Sequence, residues 1–366
     1  MNLRHQVITM IGAAFCASLF CCAGSRSQTV KAEVTSSFVK KALTEAHIKG
    51  SVVVVQDGKA KTVNVGYGYY KRKLDNGSSK LVYPLGSLQK AVTGAMITQL
   101  IYQGKLSQNT KISRWYPLLK HAKHITVGQL MTHTSGLNMS GSEQSHGIKF
   151  SEAGAIKWTV AKLDLTPRSK VNDFNYSNAN YVLLAGIIRK VTHKSYAANV
   201  KSRIIKPLKL HHTYIYKDIP RRKTDAISYY GSHKGNYRDP LYANQYTVTQ
   251  LPGAGNLFSQ PGDYLKIIKG LSNGKILTEK QYHYMTHLKS KKSTYSGGLY
   301  LKKHGDLQVA YGNFGGTHFS NWIQLTSDNK NGIVLFSNQT QNNKNKNRAV
   351  GYKILNKIKK NTFVKR

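Results

Sequence analysis

The spacing of apolar and polar positions along the chain changes period several times, and each change marks an element. After a lone positive residue, Arg4, positions 7–24 are apolar or small almost without interruption. Residues 34–47 place Val39, Leu43 and Ala46 at helical spacing with lysines between them, which predicts an amphipathic helix. Ser51 to Gln56 is a β-branched run, Asp57-Gly58 is a hairpin signal, and Lys61 to Tyr69 alternates as a returning strand. From Ser87 to Tyr102, ahead of Gly104, a helical pattern is small or apolar on nearly every face (Ala91, Val92, Gly94, Ala95, Met96), which predicts a buried helix. Residues 110–250 mix helical segments, Val182 to Lys190 among them, with long Tyr-, Gly- and Ser-rich loops. Strand patterns return at Gly298 to Lys302, Leu307 to Tyr311, Phe319 to Thr326 and Gly332 to Ser337. A polar run, Gln339 to Asn347, reads as a loop, and a basic helix from about Asn347 to Ile358 closes the chain.

The two ends therefore supply strands with flanking helices, and the middle supplies helices. The expected fold class is α/β, with an antiparallel sheet built from 33–87 and 251–366 and an inserted, mainly helical part over 88–250. Residues 1–32 read as a signal peptide, with Val30-Lys31-Ala32 as the small-residue cleavage site; left uncleaved, the same run is long enough to anchor the chain in a membrane. Phe15 and Phe20 precede Cys16 and Cys21, which argues against lipidation. All three cysteines (Cys16, Cys21, Cys22) lie in this leader, so the remainder forms no disulfide. An exported protein without disulfides suits a bacterial cell surface or a secreted bacterial protein.

Charge adds a partner class. The chain has 55 basic and 15 acidic side chains, a formal net charge of +40; the leader holds three of the basic ones (Arg4, Arg26, Lys31) and no acidic one, which leaves +37. A field of this size concentrates a protein on polyanions. For an exported chain those are teichoic acids, anionic lipids and wall phosphates. Nucleic acid is the competing partner, but neither zinc-finger spacing nor a helix-turn-helix signature is present, so no nucleic acid is expected. A uniformly basic surface without a dedicated anion site fits the same numbers.

Three short motifs carry chemistry. Ser87-Leu88-Gln89-Lys90 puts a serine at a helix start and a lysine one turn on, facing the same way. A serine hydroxyl needs a base to become a nucleophile, and a helix N-terminus favours developing negative charge. Ser-Xaa-Xaa-Lys recurs at Ser37, Ser272 and Ser327, as a lysine-rich chain makes inevitable. Ser37 falls in the first amphipathic helix, Ser272 in a turn, and Ser327 in a hairpin between two strand patterns. Only Ser87 opens a buried helix, where a lysine needs a purpose because desolvating an ammonium is costly, and where its pKa is expected to fall toward that of a usable base. Tyr176-Ser177-Asn178 sits at a helix entrance; by itself it reads equally as a cap made by Ser177 or Asn178. Tyr311-Gly312-Asn313-Phe314-Gly315-Gly316 joins two late strands. By itself it is an ordinary glycine-rich turn, or a place where a backbone N–H reaches a substrate.

Taken in order, Ser-Xaa-Xaa-Lys, Tyr-Xaa-Asn and a glycine-containing third motif resemble the penicillin-binding-protein and serine β-lactamase family. The tyrosine that opens the second motif resembles its class C and D-alanyl carboxypeptidase/esterase branch. Ile125-Thr126-Val127-Gly128-Gln129-Leu130-Met131-Thr132-His133-Thr134-Ser135-Gly136-Leu137 resembles the family stretch between the first two motifs. Gly253 to Ser259, followed by Pro261-Gly262-Asp263, resembles the approach to its last helices. The likeness runs over roughly 35–360.

What the resemblance implies is a β-lactamase/transpeptidase-like fold and two-step acyl transfer without a cofactor. Ser87 would be the nucleophile, and Lys90 and Tyr176 the acid/base pair, titrating as a unit. Asn178 would orient Lys90 and the substrate, and backbone N–H groups of Ser87 and Gly316 would hold the oxyanion. One departure stands out: the family's third motif begins with Lys or His, then Thr or a small residue, then Gly, whereas this chain has Asn313, Phe314 and Gly315. The missing cation ordinarily meets a substrate carboxylate, which turns the expectation toward a D-alanyl ester on a cell-wall polymer and away from D-alanyl-D-alanine or β-lactams. Phe314 is expected to narrow the cleft. A D-alanyl-D-alanine carboxypeptidase, a silent polymer-binding relative and a general short-chain esterase remain the competing readings. His121/His124 and His211/His212 lack the acidic or cysteine partners of a metal site. His133 reads as structural, and His318 lies close enough to the third motif to replace its cation.

Overall fold

The structure is a computed structural model and describes residues 33–139, 147–165, 170–232, 235–291, 293–340 and 344–363. The proposed leader and its three cysteines lie outside the described residues. In chain order the elements are α1 (Ser36–Glu45), β1 (Lys49–Gln56), β2 (Lys59–Val65), β3 (Tyr67–Tyr69), β4 (Leu74–Asp75), β5 (Leu81–Pro84) and α2 (Gln89–Tyr102). Next come α3 (Val127–Met131), α4 (Glu152–Leu165), α5 (Asn178–Thr192), α6 (Tyr196–Val200), β6 (Tyr214–Ile215), β7 (Thr224–Asp225), β8 (Ser228–Ser232), β9 (Gly235–Leu241) and α7 (Gln245–Thr249). The chain ends with β10 (Leu257–Ser259), α8 (Pro261–Gly270), α9 (Glu279–Thr286), β11 (Tyr295–Ser296), β12 (Leu299–Lys302), β13 (Leu307–Asn313), β14 (Ser320–Thr326), β15 (Gly332–Thr340) and α10 (Lys344–Phe363).

The main sheet has the order β11-β12-β13-β14-β15-β1-β2, all antiparallel, so both ends of the chain build one layer. Strand β1 explains how it is covered. Val52 and Val54 point into one core with Val39 and Leu43 of α1 and Val350, Ile354 and Ile358 of α10. Val53 and Val55 point into the other, with α2 and α8. Side chains alternate across a strand, so an unbroken valine run belongs in a sheet buried on both faces. Each such valine contributes roughly 2 kcal/mol by leaving water.

The returning strand departs from expectation: it begins at Lys59, ends at Val65, and is followed after Gly66 (φ +74°) by the separate strand β3, which pairs with β4. Within 88–250 two further strands join the sheet. β8 pairs in parallel with the end of β15 (Gln339 with Tyr229, Thr340 with Tyr230), and β9 pairs with β8. Their sequences, with Gly, Asp and Pro240, carry no alternating pattern, and pairing with β15 overrides that weak local preference. The same pairing draws Gln339 and Thr340 out of the expected loop and into β15. A small second sheet, β6-β10-β5-β7, lies beside the first. Helix α10 begins earlier than expected, at Lys344.

Helix α2 runs through the larger core, with 11 of its 14 residues buried, Lys90 among them. It touches the sheet backbone directly. A Cβ on Gly94 would come 2.3 Å from the Gly297 carbonyl oxygen, and one on Gly298 would come 2.2 Å from the Ala91 nitrogen. Only glycine permits that approach. No helix among the described residues is long and apolar enough to cross a membrane.

Candidate active site

The α2 entrance differs in detail from the helix expected at Ser87. A single 3-10 turn, Gly86–Leu88, holds Ser87, and the α-helix proper starts at Gln89. Gly86 takes φ +54°, and a Cβ there would meet the Asn313 carbonyl oxygen at 2.8 Å. Glycine at 86 thus lets strand β13 lie against the chain just before the serine.

Lys90 is fully buried, and its ammonium donates to oxygens of three residues among the described contacts. Nζ donates to Ser87 Oγ at 2.8 Å, to Asn178 Oδ1 at 2.7 Å and to the Ala254 carbonyl at 3.3 Å. These acceptors suit the three protons of an ammonium and offset part of its desolvation. Nζ also lies 4.9 Å from the centre of the Tyr176 ring and 5.7 Å from that of Tyr181. The structure therefore brings Ser87, Lys90, Tyr176 and Asn178 together from two helix entrances and one loop. Ser177 is the N-cap of α5, but its hydroxyl makes no capping bond and finds no hydrogen-bond partner among the described residues. Asn178 turns its side chain to Lys90. The expected side-chain cap is therefore absent: Ser177 Oγ makes no capping bond, and the Asn178 amide oxygen accepts from Lys90 instead.

A cavity of about 560 Å³ opens at Ser87. Its wall includes Asn138, Asn175, Tyr176, Asn178, Thr247 and Leu251, with Asn313, Phe314 and Gly315 of the third motif. Gly316 (φ +70°) is exposed and lies one residue beyond that wall. Among the described residues, none that lines the cavity carries a charged side chain. Lys90 sits behind the wall, and His318 is not among the described lining residues: its backbone N–H donates to Ser228 Oγ at 3.1 Å and its ring packs on Tyr230, centroids 5.4 Å apart. Phe314 is 3% exposed and closes one side of the cavity. A larger cavity, about 970 Å³, is lined by Lys269, Glu279, His283 and Lys330 among others, and Ser87, Lys90, Tyr176 and Asn178 are not among its described lining residues.

His133 does more than fill the core. It takes φ +56°, and its carbonyl accepts from Asn175 N–H at 2.8 Å while that of Thr134 accepts from Asn172 N–H at 2.9 Å. Its Nδ1 accepts from Ser177 N–H (3.4 Å) and faces Asn180 Nδ2 at 3.0 Å. A backbone N–H can only donate, so the ring proton belongs on Nε2. The ring packs on Tyr176 with centroids 4.2 Å apart and on Tyr295 at 4.7 Å. Burial, reinforced by the nearby Lys90 ammonium, holds this imidazole well below its ordinary pKa, so it is neutral. His133 thereby fixes the loop that carries Tyr176.

Residues that no motif flagged complete the frame. Gln89, fully buried, donates to Asn256 Oδ1 at 2.8 Å and accepts from Leu257 N–H at 2.7 Å. Thr93 donates to the Gly253 carbonyl at 2.7 Å and bonds Tyr196 Oη at 2.7 Å. Together they clamp the Gly253–Asn256 loop to α2, which places the Ala254 carbonyl at Lys90. Polar side chains on an otherwise apolar helix were the available signal. Among the described residues no group of three or more His, Cys, Asp or Glu is placed to hold a metal ion.

A family model described as beta-lactamase matches residues 35–355. A teichoic acid D-alanine hydrolase of Staphylococcus aureus is 32% identical over 270 residues, which cover 72% of this chain and 65% of that protein, so the match spans less than two thirds of its length. The crystal structure of FmtA from Staphylococcus aureus superposes with a TM-score of 0.72 at 28% identity, over 89% of this chain and 88% of that one. A D-amino acid amidase from Ochrobactrum anthropi has the same fold, with a TM-score of 0.75 at 20% identity over 89% and 97% of the two chains.

Proposed function

The chain belongs to the beta-lactamase family, and from that premise we propose that it is an exported serine hydrolase that removes D-alanine from ester linkage on teichoic acid at the bacterial surface. The observation that carries the choice of substrate is that no described residue lining the cavity at Ser87 carries a charged side chain. An acyl donor with a carboxylate beside the scissile bond would bury that charge against amides and a phenyl ring, at a cost of several kcal/mol. A D-alanyl ester on a polyol has no such carboxylate. The relative that hydrolyses teichoic acid D-alanine supports the same substrate.

In this reading Ser87 Oγ, 2.8 Å from Lys90 Nζ, gives its proton to the Lys90/Tyr176 pair as it attacks the ester carbonyl. The pair must hold one proton fewer than its fully protonated form to accept it. Backbone N–H groups of Ser87 and Gly316 stabilise the oxyanion. Collapse breaks the ester C–O bond, and the departing polyol oxygen takes a proton from Tyr176. Water, deprotonated by the same pair, then attacks the acyl-serine, releases D-alanine and returns the proton to Ser87. Asn178 and the Ala254 carbonyl hold Lys90 in line throughout, and the neutral His133 holds the Tyr176 loop.

The test is D-alanine release from D-alanylated teichoic acid and from a D-alanyl-D-alanine peptide, by the protein and by its Ser87→Ala variant. Release from the polymer alone, lost in Ser87→Ala, is expected. Release from the peptide at a comparable rate would overturn the argument from the cavity wall. Activity that survives Ser87→Ala would remove Ser87 from the mechanism.

A further inference from the structure

A second feature lies outside the cavity, where β3, β4 and the β8–β9 hairpin meet. Tyrosines collect there on an exposed face. Tyr70 and Tyr237 stack with centroids 4.3 Å apart and planes within 6°. Tyr67 and Tyr229 close round Tyr237 at 5.8 and 5.3 Å. The Tyr69 and Tyr242 hydroxyls approach to 3.4 Å. Cations lie on these rings: Lys73 Nζ is 4.0 Å from the Tyr70 centroid, Lys49 Nζ is 4.9 Å from that of Tyr237, and Arg72 Cζ is 5.5 Å from that of Tyr69. The rings are fixed through the backbone, because Tyr67 N–H donates to Tyr237 Oη at 3.0 Å and Tyr70 N–H to Tyr229 Oη at 2.9 Å. Tyr70 is 40% and Tyr242 59% exposed, and Arg72, Lys73 and Arg238 are exposed beside them; the carboxylates on the same strands are Asp75 and Asp239.

This face is tied to the cavity at two points. Tyr242 precedes the cavity residue Thr247 by five positions, a span of at most about 17 Å. Tyr230 of β8 packs on His318, three residues after the cavity residue Gly315. The face also supplies what the described wall of the cavity lacks. A teichoic acid is a chain of polyol phosphates, and the described residues that line the cavity offer its phosphates no counter-charge. The exposed Tyr242 ring offers a flat surface to the C–H face of a polyol or sugar unit, and the lysines and the arginine that lie on the neighbouring tyrosines offer charge-assisted hydrogen bonds to phosphate.

We propose that the tyrosine–cation face formed by β3, β4 and the β8–β9 hairpin is a second binding site, which holds the polyol-phosphate chain of the polymer while one of its D-alanyl esters occupies the Ser87 cavity. The inference rests on the esterase reading above, and names where the rest of that substrate lies.

The experiment uses three forms of the mature chain: unaltered, Arg72→Gln/Lys73→Asn/Tyr242→Ser, and Lys40→Gln/Lys41→Gln. The last removes two exposed positive charges from α1, so that general loss of charge is controlled. Each is assayed for kcat/KM on D-alanylated teichoic acid and on the ethyl ester of D-alanine, and in its Ser87→Ala form for binding to D-alanine-free teichoic acid. In the triple variant, binding to the bare polymer is expected to weaken about fivefold to tenfold, and the ratio of polymer to small-ester kcat/KM to fall by a similar factor through KM. The α1 variant should match the unaltered protein in both ratios. Equal losses in both variants would reduce the effect to net charge and overturn the proposal, as would unchanged polymer binding in the triple variant. Turnover of neither substrate by the unaltered chain would fail the esterase reading; polymer turnover with an unchanged ratio in the triple variant would fail only the second site.

Discussion

Two stretches of this chain share a four-residue pattern and differ in everything that surrounds it. Ser37-Phe38-Val39-Lys40 and Ser87-Leu88-Gln89-Lys90 both open helices, with serine and lysine on one face. In the first, Ser37 Oγ pairs with Thr35 Oγ1 at 2.9 Å and Lys40 is exposed to solvent. Water solvates that ammonium, and nothing ties its position to the serine. In the second, Lys90 is wholly out of water, and its acceptors come from the 3-10 turn just before α2, from the start of α5 and from the Gly253–Asn256 loop. The comparison teaches that a Ser-Lys pair becomes chemical machinery through the distant segments that desolvate and hold the lysine, not through its spacing.

The sharpest way to test that contrast is to remove each lysine. Lys90→Ala should lower kcat/KM on a D-alanyl ester by about 10³-fold or more, as loss of an activating base does. Lys40→Ala should stay within about twofold; comparable losses would make the buried setting irrelevant. Weakening the cradle should cost less. Asn178→Ala removes an oxygen that holds Lys90 and a side chain of the cavity wall, and kcat/KM should fall by about 10- to 100-fold. His133 acts one step further away. His133→Ala should reduce kcat about tenfold, and His133→Asn should recover part of it, since asparagine accepts φ +56° and can receive the Ser177 N–H. Because the buried imidazole is neutral, the acid limb of the kcat/KM profile should remain in His133→Asn; its disappearance would make His133 a titrating partner.

The smallest effect concerns stability. Burial raises the Asp225 carboxyl from 3.8 to about 6. Below about pH 4 the folded and unfolded chains both hold its proton, and the side chain adds no pH-dependent cost. As pH rises through the window between the two values the unfolded chain releases the proton first, so folding loses stability, and above about pH 6 the loss is constant. Asp225→Asn should therefore stabilise the protein at pH 7 by about 1–3 kcal/mol in urea unfolding, with the gain gone near pH 4. A gain equal at both pH values would assign it to packing.

Much of the layout was legible because local periodicity carries burial. The valine run of β1, the all-apolar face pattern of α2 and the alternating late strands each follow from which faces leave water, and they predicted the layer that the structure shows. The 3-10 turn at Ser87 and the strands β8 and β9 were not legible. The first depends on β13 lying against Gly86, and the second on pairing with the far end of β15. Neither partner is near in sequence, so no local window contains the interaction that decides the conformation. Gln89 and Thr93 escaped for the same reason, since a polar residue on a buried helix shows only that some partner exists.

By itself, then, the order of residues determined the sheet and its helices, the motifs and their departure at Asn313, because these depend on composition and on spacings of a few residues. Tertiary structure alone decided which oxygens meet Lys90, that no described residue lining the cavity beside it carries a charged side chain, and that tyrosines from two separate stretches share a face with several cations. Each depends on which segments meet across long loops. The energies that select those meetings, desolvation of an ammonium above all, arise only once the segments are in contact.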